Sequence, residues 1–281
     1  MKKKIGIYGF VIIFVLGWLY VFMPTGILVN PLITPENYLA SKPYIELFNR
    51  WIIIVPSSSI IVYGLGIQIM VLSVMLIKDK EKLWGLSLLF WGIGTLLAGT
   101  SYQSLGYELK CSNQTYCLFT SWFELAYLFM TAISISLMAK AFAETFTQNK
   151  IKKFLINYGN IAMIGYTVIL LLGTIIENQF MISYELFTVF FMPLFIVFFV
   201  INVLNYRKNK NDCDYSFIIL WLFFLVVNIS YFVYYFLGFT SSLYTNLGIW
   251  FSANDVLHVG LILWFAYFQI WVKRSLIKTQ I

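Results

Sequence analysis

The chain has 281 residues, of which 60% are hydrophobic, 20% aromatic and 11% charged, more apolar surface than one soluble core can bury. One histidine and three cysteines cannot assemble a three-histidine zinc site, a bis-histidine haem or a four-cysteine cluster. A net charge of +7 would suit nucleic acid only if the cations gathered on one folded face, and here they are parcelled out between long apolar runs.

A bilayer core about 30 Å thick is crossed by about 20 helical residues. Eight nearly uncharged runs of that order follow one another, over 5–22, 52–77, 83–101, 121–143, 154–176, 181–204, 216–237 and 250–272. The predicted fold is all-α, a polytopic membrane bundle of eight transmembrane helices. Residues 1–50 form an N-terminal anchor and outer connector, and 51–281 a seven-helix core. Sixteen of the 19 basic residues lie at the chain start, at alternate turns or after the last run, while Lys42, Arg50 and Lys110 lie on the other side. Cytoplasmic loops retain Lys and Arg, so both termini are expected inside. Met1-Lys-Lys-Lys4 before an apolar run also has the form of a secretory signal. The first alanine is Ala40 and 21–26 carries no small-x-small cleavage pattern, so the run is expected to stay as an uncleaved anchor.

Pro56 and Pro193 fall inside the second and sixth runs, where a missing amide kinks a helix unless neighbours repair the backbone. Gly64-x-Gly66 and Gly92-x-Gly94 read as close helix contacts and not as phosphate loops, since neither follows a strand. The aromatic stretches 187–199 and 231–239 read as lipid-facing packing and interfacial belts. A retinal Schiff base is excluded by the lack of a mid-span lysine.

Cys111 and Cys117 share the translocated loop between the third and fourth runs. They are expected to form a disulfide, which over so short a loop is worth about 2 kcal/mol; two free thiols are the alternative. Cys213, on the basic side, is expected to be reduced. Asn113-Gln-Thr115 matches the glycosylation acceptor pattern, which acts only in a eukaryotic secretory pathway.

An ionisable side chain inside a span is costly and by default marks a pocket or pathway. Apart from Lys140 at the inner boundary there are four, Glu124, Glu185, Asp255 and His258, all expected in the outer half of the bilayer. Thr100, Ser101, Tyr102 and Gln103 reach a similar depth from the third run, and Asn228, Ser230 and Tyr231 from the seventh. Asn254 and Asp255 precede His258 by four and three residues, so the three share one helical face. A carboxylate beside an imidazole fixes its tautomer and suits it to proton transfer or single-metal ligation. The candidate ligand-binding set is Ser101, Gln103, Glu124, Asn254, Asp255 and His258. Glu124, Asp255 and His258 are the candidate catalytic groups, and His258 the candidate metal ligand. A satisfied hydrogen-bond knot between helices is the alternative for the same residues.

Thr100-Ser-Tyr-Gln103, Ser121-Trp-Phe-Glu-Leu-Ala-Tyr127 and Asn254-Asp-Val-Leu-His258 resemble, in order and helix position, motifs of the alkaline ceramidase and adiponectin-receptor superfamily of membrane hydrolases. In that group a Ser and His near the end of the second core helix, an acidic residue early in the third and a His-x-x-x-His pair early in the seventh surround zinc. The resemblance implies a seven-helix core with its amino end outside, a zinc cofactor, and hydrolysis of a lipid amide or ester by water activated through Glu124 or Asp255. Gln103 and Asn254 stand where the pattern has two of its three zinc histidines, and amides are poor zinc ligands. The expected function is therefore binding of a small molecule or lipid in the polar pocket, for sensing or transport, with a membrane-embedded lipid amide or ester hydrolase as the alternative. The expected partners are the lipid bilayer and that ligand, with no nucleic acid.

Overall fold

Apolar runs joined by short basic turns leave a chain little choice but to stack as neighbouring antiparallel helices. The computed structural model describes residues 2–22, 33–48, 51–145 and 149–278; Arg50 and most of the 21–26 stretch lie outside them. The elements in chain order are α1 (Lys2–Phe22), α2 (Pro35–Ala40), β1 (Tyr44–Leu47), β2 (Trp51–Ile54), α3 (Pro56–Lys78), α4 (Lys82–Gly99) and α5 (Gly106–Lys110). They continue with α6 (Trp122–Glu144), α7 (Asn149–Ile176), α8 (Tyr184–Asn209), α9 (Asp212–Phe236), α10 (Phe239–Leu247), α11 (Ala253–Tyr267) and α12 (Lys273–Lys278). Thr100–Ser104 extends α4 as a π-helical turn, and Phe268–Val272 does the same between α11 and α12. Among the described residues, seven helices are long and apolar enough to cross a membrane: α3, α4 with its π turn, α6, α7, α8, α9, and α11 continued to Ile277. Within α1 the apolar stretch Gly9–Val21 is shorter.

The seven helices form a closed ring, in which α11 packs against both α9 and α3. The third of them, α6, is the central one: 78% of its apolar window is buried, against 22–44% in the other six. Its composition permits this, because Ala126, Ala132, Ser134, Ser136, Ala139 and Ala143 keep its surface low enough for neighbours to approach from several sides. The Ser87 hydroxyl of α4 donates to the Ser134 carbonyl of α6 at 2.8 Å. One end of the ring carries the basic turns; the other carries α2, the hairpin, α5 and α10.

Two sequence expectations are corrected here. The all-α reading lacks a hairpin: β1 pairs antiparallel with β2, Tyr44 opposite Ile54 and Leu47 opposite Trp51. This places the start of the second apolar run in a strand, which β-branched Ile52, Ile53 and Ile54 favour. The hairpin also straddles the expected boundary at residue 50. Pro56 is consequently the first residue of α3, preceded by Val55 at φ 40°, and there its missing amide has no intrahelical partner to lose. Pro193 does lie inside α8.

The aromatic stretch of α8 divides by helical period: Phe187, Phe191, Phe195 and Phe198 turn into the core, while Val189, Ile196 and Val200 turn outward. The four phenylalanines turned into the core are therefore not lipid-facing, contrary to expectation. Phe198 meets Phe142 with ring centroids 4.5 Å apart, and Phe217 stacks on Trp221 at 5.9 Å. Indole hydrogens in this core are engaged, Trp221 Nε1 donating to Asn202 Oδ1 at 3.0 Å and Trp264 Nε1 to the Leu220 carbonyl at 2.8 Å.

The α3–α4 crossing depends on glycine. A Cβ on Gly92 would stand 2.7 Å from Met70 Cγ and 3.2 Å from the Gly66 carbonyl oxygen, and one on Gly66 would stand 2.6 Å from a Leu96 methyl. Gly94 is a contact towards α6, whereas Gly64 opens to empty space. Gly92→Leu is expected to force α3 and α4 apart and cost about 1–3 kcal/mol, while Gly64→Leu costs much less. Thermal unfolding of the two detergent-solubilised variants checks this; equal midpoints would contradict it.

Candidate functional site

Glu124 sits in the first turn of α6, 3% exposed, and its carboxylate is met from three directions. Lys110 Nζ, at the end of α5, donates to Oε1 at 2.7 Å. The Ser101 hydroxyl, in the π turn after α4, donates to Oε1 at 2.8 Å, and the Thr120 hydroxyl donates to Oε2 at 2.9 Å. Since the one Ser101 hydroxyl hydrogen goes to Glu124, the short contact between Ser101 and Ser121 is a hydrogen bond donated by Ser121.

The loop between α5 and α6 holds these donors in place. Cys111 and Cys117 are disulfide-bonded, as expected for a pair sharing this loop. The bridge joins the residue after Lys110 to a segment that runs directly into Thr120, and the Leu118 amide donates to the Lys110 carbonyl at 2.8 Å. Both sulfurs are buried, packed with Tyr38, Ile54 and Val55. Glu108 Oε1 accepts the Ile52 amide at 3.0 Å, which ties α5 to the hairpin. Burial pulls the Lys110 ammonium down, but the charge and hydrogen bond of Glu124 together with Tyr38 outweigh it and carry the ammonium above its ordinary value. Lys42 lies 4.1 Å from the centroid of the Tyr38 ring and is lowered to about 8, chiefly by burial and then by the Lys110 charge, with Glu124 opposing.

Below this charged end, α3, α4, α6, α8, α9 and α11 surround a cavity of about 400 Å³. Of the residues expected to share a site, Gln103, Glu124, Asn254 and His258 all line it. Gln103 is 4% exposed and its Oε1 has no hydrogen-bond partner among the described residues; neither has Nδ1 of His258. Glu185, Asn228 and Tyr231 contribute to the wall, whereas Ser230 is exposed and bonds back to the Val226 carbonyl.

Ser101 and Asp255 are not part of the lining. Ser101 stands behind it as a support for Glu124. Asp255 Oδ2 accepts from the Ser58 hydroxyl of α3 at 2.8 Å, from the Ser252 amide at 2.6 Å and from the Ser252 hydroxyl at 2.9 Å. With the Asp255 amide donating back to Ser252 Oγ at 3.2 Å, this is a capping box at the start of α11. Asp255 and His258 share a helix, but no hydrogen bond joins the carboxylate to the ring. The signal was present in Ser252-Ala-Asn-Asp255 ahead of an apolar run, and the cap explains the acidic residue better than a catalytic pair does. Sequence reasoning also missed Lys110 and Thr120 as partners of Glu124; their signal was that a bridged loop this short must keep both near the start of α6.

The donor set does not fit the zinc ion that the resemblance implies. Among the described residues no three His, Cys, Asp or Glu side chains gather where they could hold a metal. Both oxygens of Glu124 already accept hydrogen bonds, one of them from an ammonium, and Asp255 faces α3 and its own helix start. No family model, curated protein or solved structure matches the chain.

The ion pair makes a sharp stability claim. Lys110→Met leaves Glu124 buried and uncompensated and is expected to cost about 3–5 kcal/mol, whereas adding Glu124→Gln returns most of that loss. Because Lys110 is raised in the fold, the stabilisation from the pair is complete below its ordinary 10.5 and fades as pH climbs through the higher folded value. Denaturant titrations of the three variants in detergent measure the coupling; additive effects of the two substitutions would refute it.

Proposed function

We propose that this is an integral membrane protein with eight spans, α1 and the seven core helices, whose termini both lie in the cytoplasm. The support is the division of 16 basic residues against 3, matched by seven helices of spanning length and one shorter apolar stretch. On this reading the charged end with Lys110 and the disulfide faces outside, and the cavity lies in the outer half of the bilayer.

We further propose that the cavity binds a small molecule or lipid for sensing or transport. The observation that carries this is a cavity of about 400 Å³, within the range of about 300–1,000 Å³ typical of ligand sites, in whose wall a buried amide has an oxygen with no partner. Buried polar groups are paired in stable folds, so a vacancy of this kind in a cavity wall argues for a ligand as the missing partner. A lipid amide or ester hydrolase would draw on the same space, but it needs a metal donor set or a freed carboxylate, and Glu124 is held as an ion pair.

A cysteine introduced at Lys208 is expected to react with a membrane-impermeant maleimide only after the membrane is opened, and one at Ser112 from outside in intact cells. The reverse pattern would overturn the orientation. Native mass spectrometry of the gently solubilised protein is expected to find a bound compound of a few hundred daltons, on the order of what such a cavity holds. Thr188→Trp, which fills the cavity from α8, is expected to lose it. No bound mass, or a mass retained in that variant, would overturn the ligand-site reading.

A further inference from the structure

The threonines of the lining have no hydroxyl hydrogen left to give. The hydroxyl hydrogens of Thr95, Thr131 and Thr188 go to carbonyls one turn back in their own helices, that of Thr120 goes to Glu124, and the Asn228 amide goes to the Phe224 carbonyl. Among the buried polar atoms of the lining, Gln103 Oε1, an acceptor, and His258 Nδ1 remain without a partner, and the Glu185 carboxylate accepts no hydrogen bond from another described residue. Among the described residues the lining holds two carboxylates, Glu124 and Glu185, and no lysine or arginine. Lys110 neutralises the first from behind the wall, which leaves the second uncompensated. An anionic head group would meet the Glu185 charge while the nearby Lys110 is already taken by Glu124, and a neutral one would leave Glu185 as it is. An ammonium supplies three donors and the missing charge together. Tyr102, Tyr127 and Tyr231 add aromatic rings to the same wall, whose faces attract a cation.

A second, smaller space adjoins the first. About 120 Å³ lies between α8 and α9, bounded by Met192, Phe195, Phe224 and Asn228, all of which also line the main cavity. Its outer wall is Ile196, Leu222 and Leu225, which are 59%, 44% and 52% exposed on the surface of the α8–α9 pair. Apart from Asn228 its lining is apolar. The polar chamber and the apolar slot thus share four residues, and the slot ends at the face of two apolar helices, where hydrocarbon would lie.

From these two observations we infer that the ligand is a bilayer-borne amphiphilic amine, with its ammonium head between Glu185 and Gln103 and its alkyl chain in the slot between α8 and α9. The inference rests on the ligand-site reading above and adds to it the chemical class of the ligand and the side from which it arrives.

The test uses the full chain in phosphatidylcholine nanodiscs, titrated calorimetrically with n-dodecylamine, dodecan-1-ol, dodecanoate and n-butylamine, with empty nanodiscs as the partition baseline. Saturable binding is expected for dodecylamine, at least about tenfold weaker for the alcohol and for butylamine, and undetectable for dodecanoate. Glu185→Gln, at an exposed position that leaves the fold alone, is expected to weaken dodecylamine by about tenfold. Leu225→Trp, which blocks the slot, is expected to weaken dodecylamine and leave butylamine unchanged, with helix content by circular dichroism constant in both variants. Equal binding of the alcohol or dodecanoate, or indifference to Glu185→Gln, would overturn the amine while leaving a ligand cavity in place. Butylamine binding as tightly as dodecylamine would overturn the chain in the slot and point to a water-borne amine. Failure of all four probes to bind, together with a co-purifying mass that Thr188→Trp removes, would overturn the amine alone; without that mass the cavity reading falls as well.

Discussion

A carboxylate buried at 3% exposure has to be compensated, and at Glu124 that requirement organises one whole end of the molecule. Its donors come from α5, from the π turn that ends α4 and from the loop entering α6, three segments that no common secondary structure would bring together. The disulfide brings the segments bearing Lys110 and Thr120 together, and Glu108 extends the same construction to the hairpin through the Ile52 amide. Removing the charge from Lys110 would therefore disturb the loops and hairpin as well as the cavity wall.

Asp255 solves the same problem in another way. Among the described residues it has no cationic partner, and it is held by three hydrogen bonds, two from Ser252 at its own helix start and one from Ser58 on α3. That arrangement fixes the first turn of α11 and fastens it to α3 where the ring closes, and the turn so fixed carries Asn254 and leads to His258 in the cavity wall. One carboxylate acts through charge and the other through capping, and between them the polar chamber keeps its shape. Further from that end the helices are held by glycine contacts, small residues on α6 and interlocked aromatic rings, none of which requires charge.

Much of this was legible in the residues. Each expected apolar run corresponds to a helix whose ends differ by a few residues, because length and uninterrupted hydropathy depend on composition alone. The expected pairing of Cys111 with Cys117 is present, and Gln103, Glu124, Asn254 and His258 do line one cavity. Depth along a helix follows from counting residues at 1.5 Å each, so groups at similar depth could be named before their helices were placed. The hairpin was not legible, because Trp51-Ile-Ile-Ile54 continues directly into the apolar residues of α3 and hydropathy does not distinguish strand from helix in so short a run.

What the sequence by itself determined is the set of helices, the side on which the cations gather and the few polar groups that had to be accounted for. Those properties are local, being fixed by which side chains are apolar, charged or oxidisable and by how far apart they stand along the chain. Only the tertiary structure decided that Glu124 pairs with Lys110, that Asp255 is a cap turned towards Ser58, and that a slot between α8 and α9 shares four residues with the main cavity. Each of those depends on the rotation of one helix against another, which is set by packing among all seven and is written in no single segment.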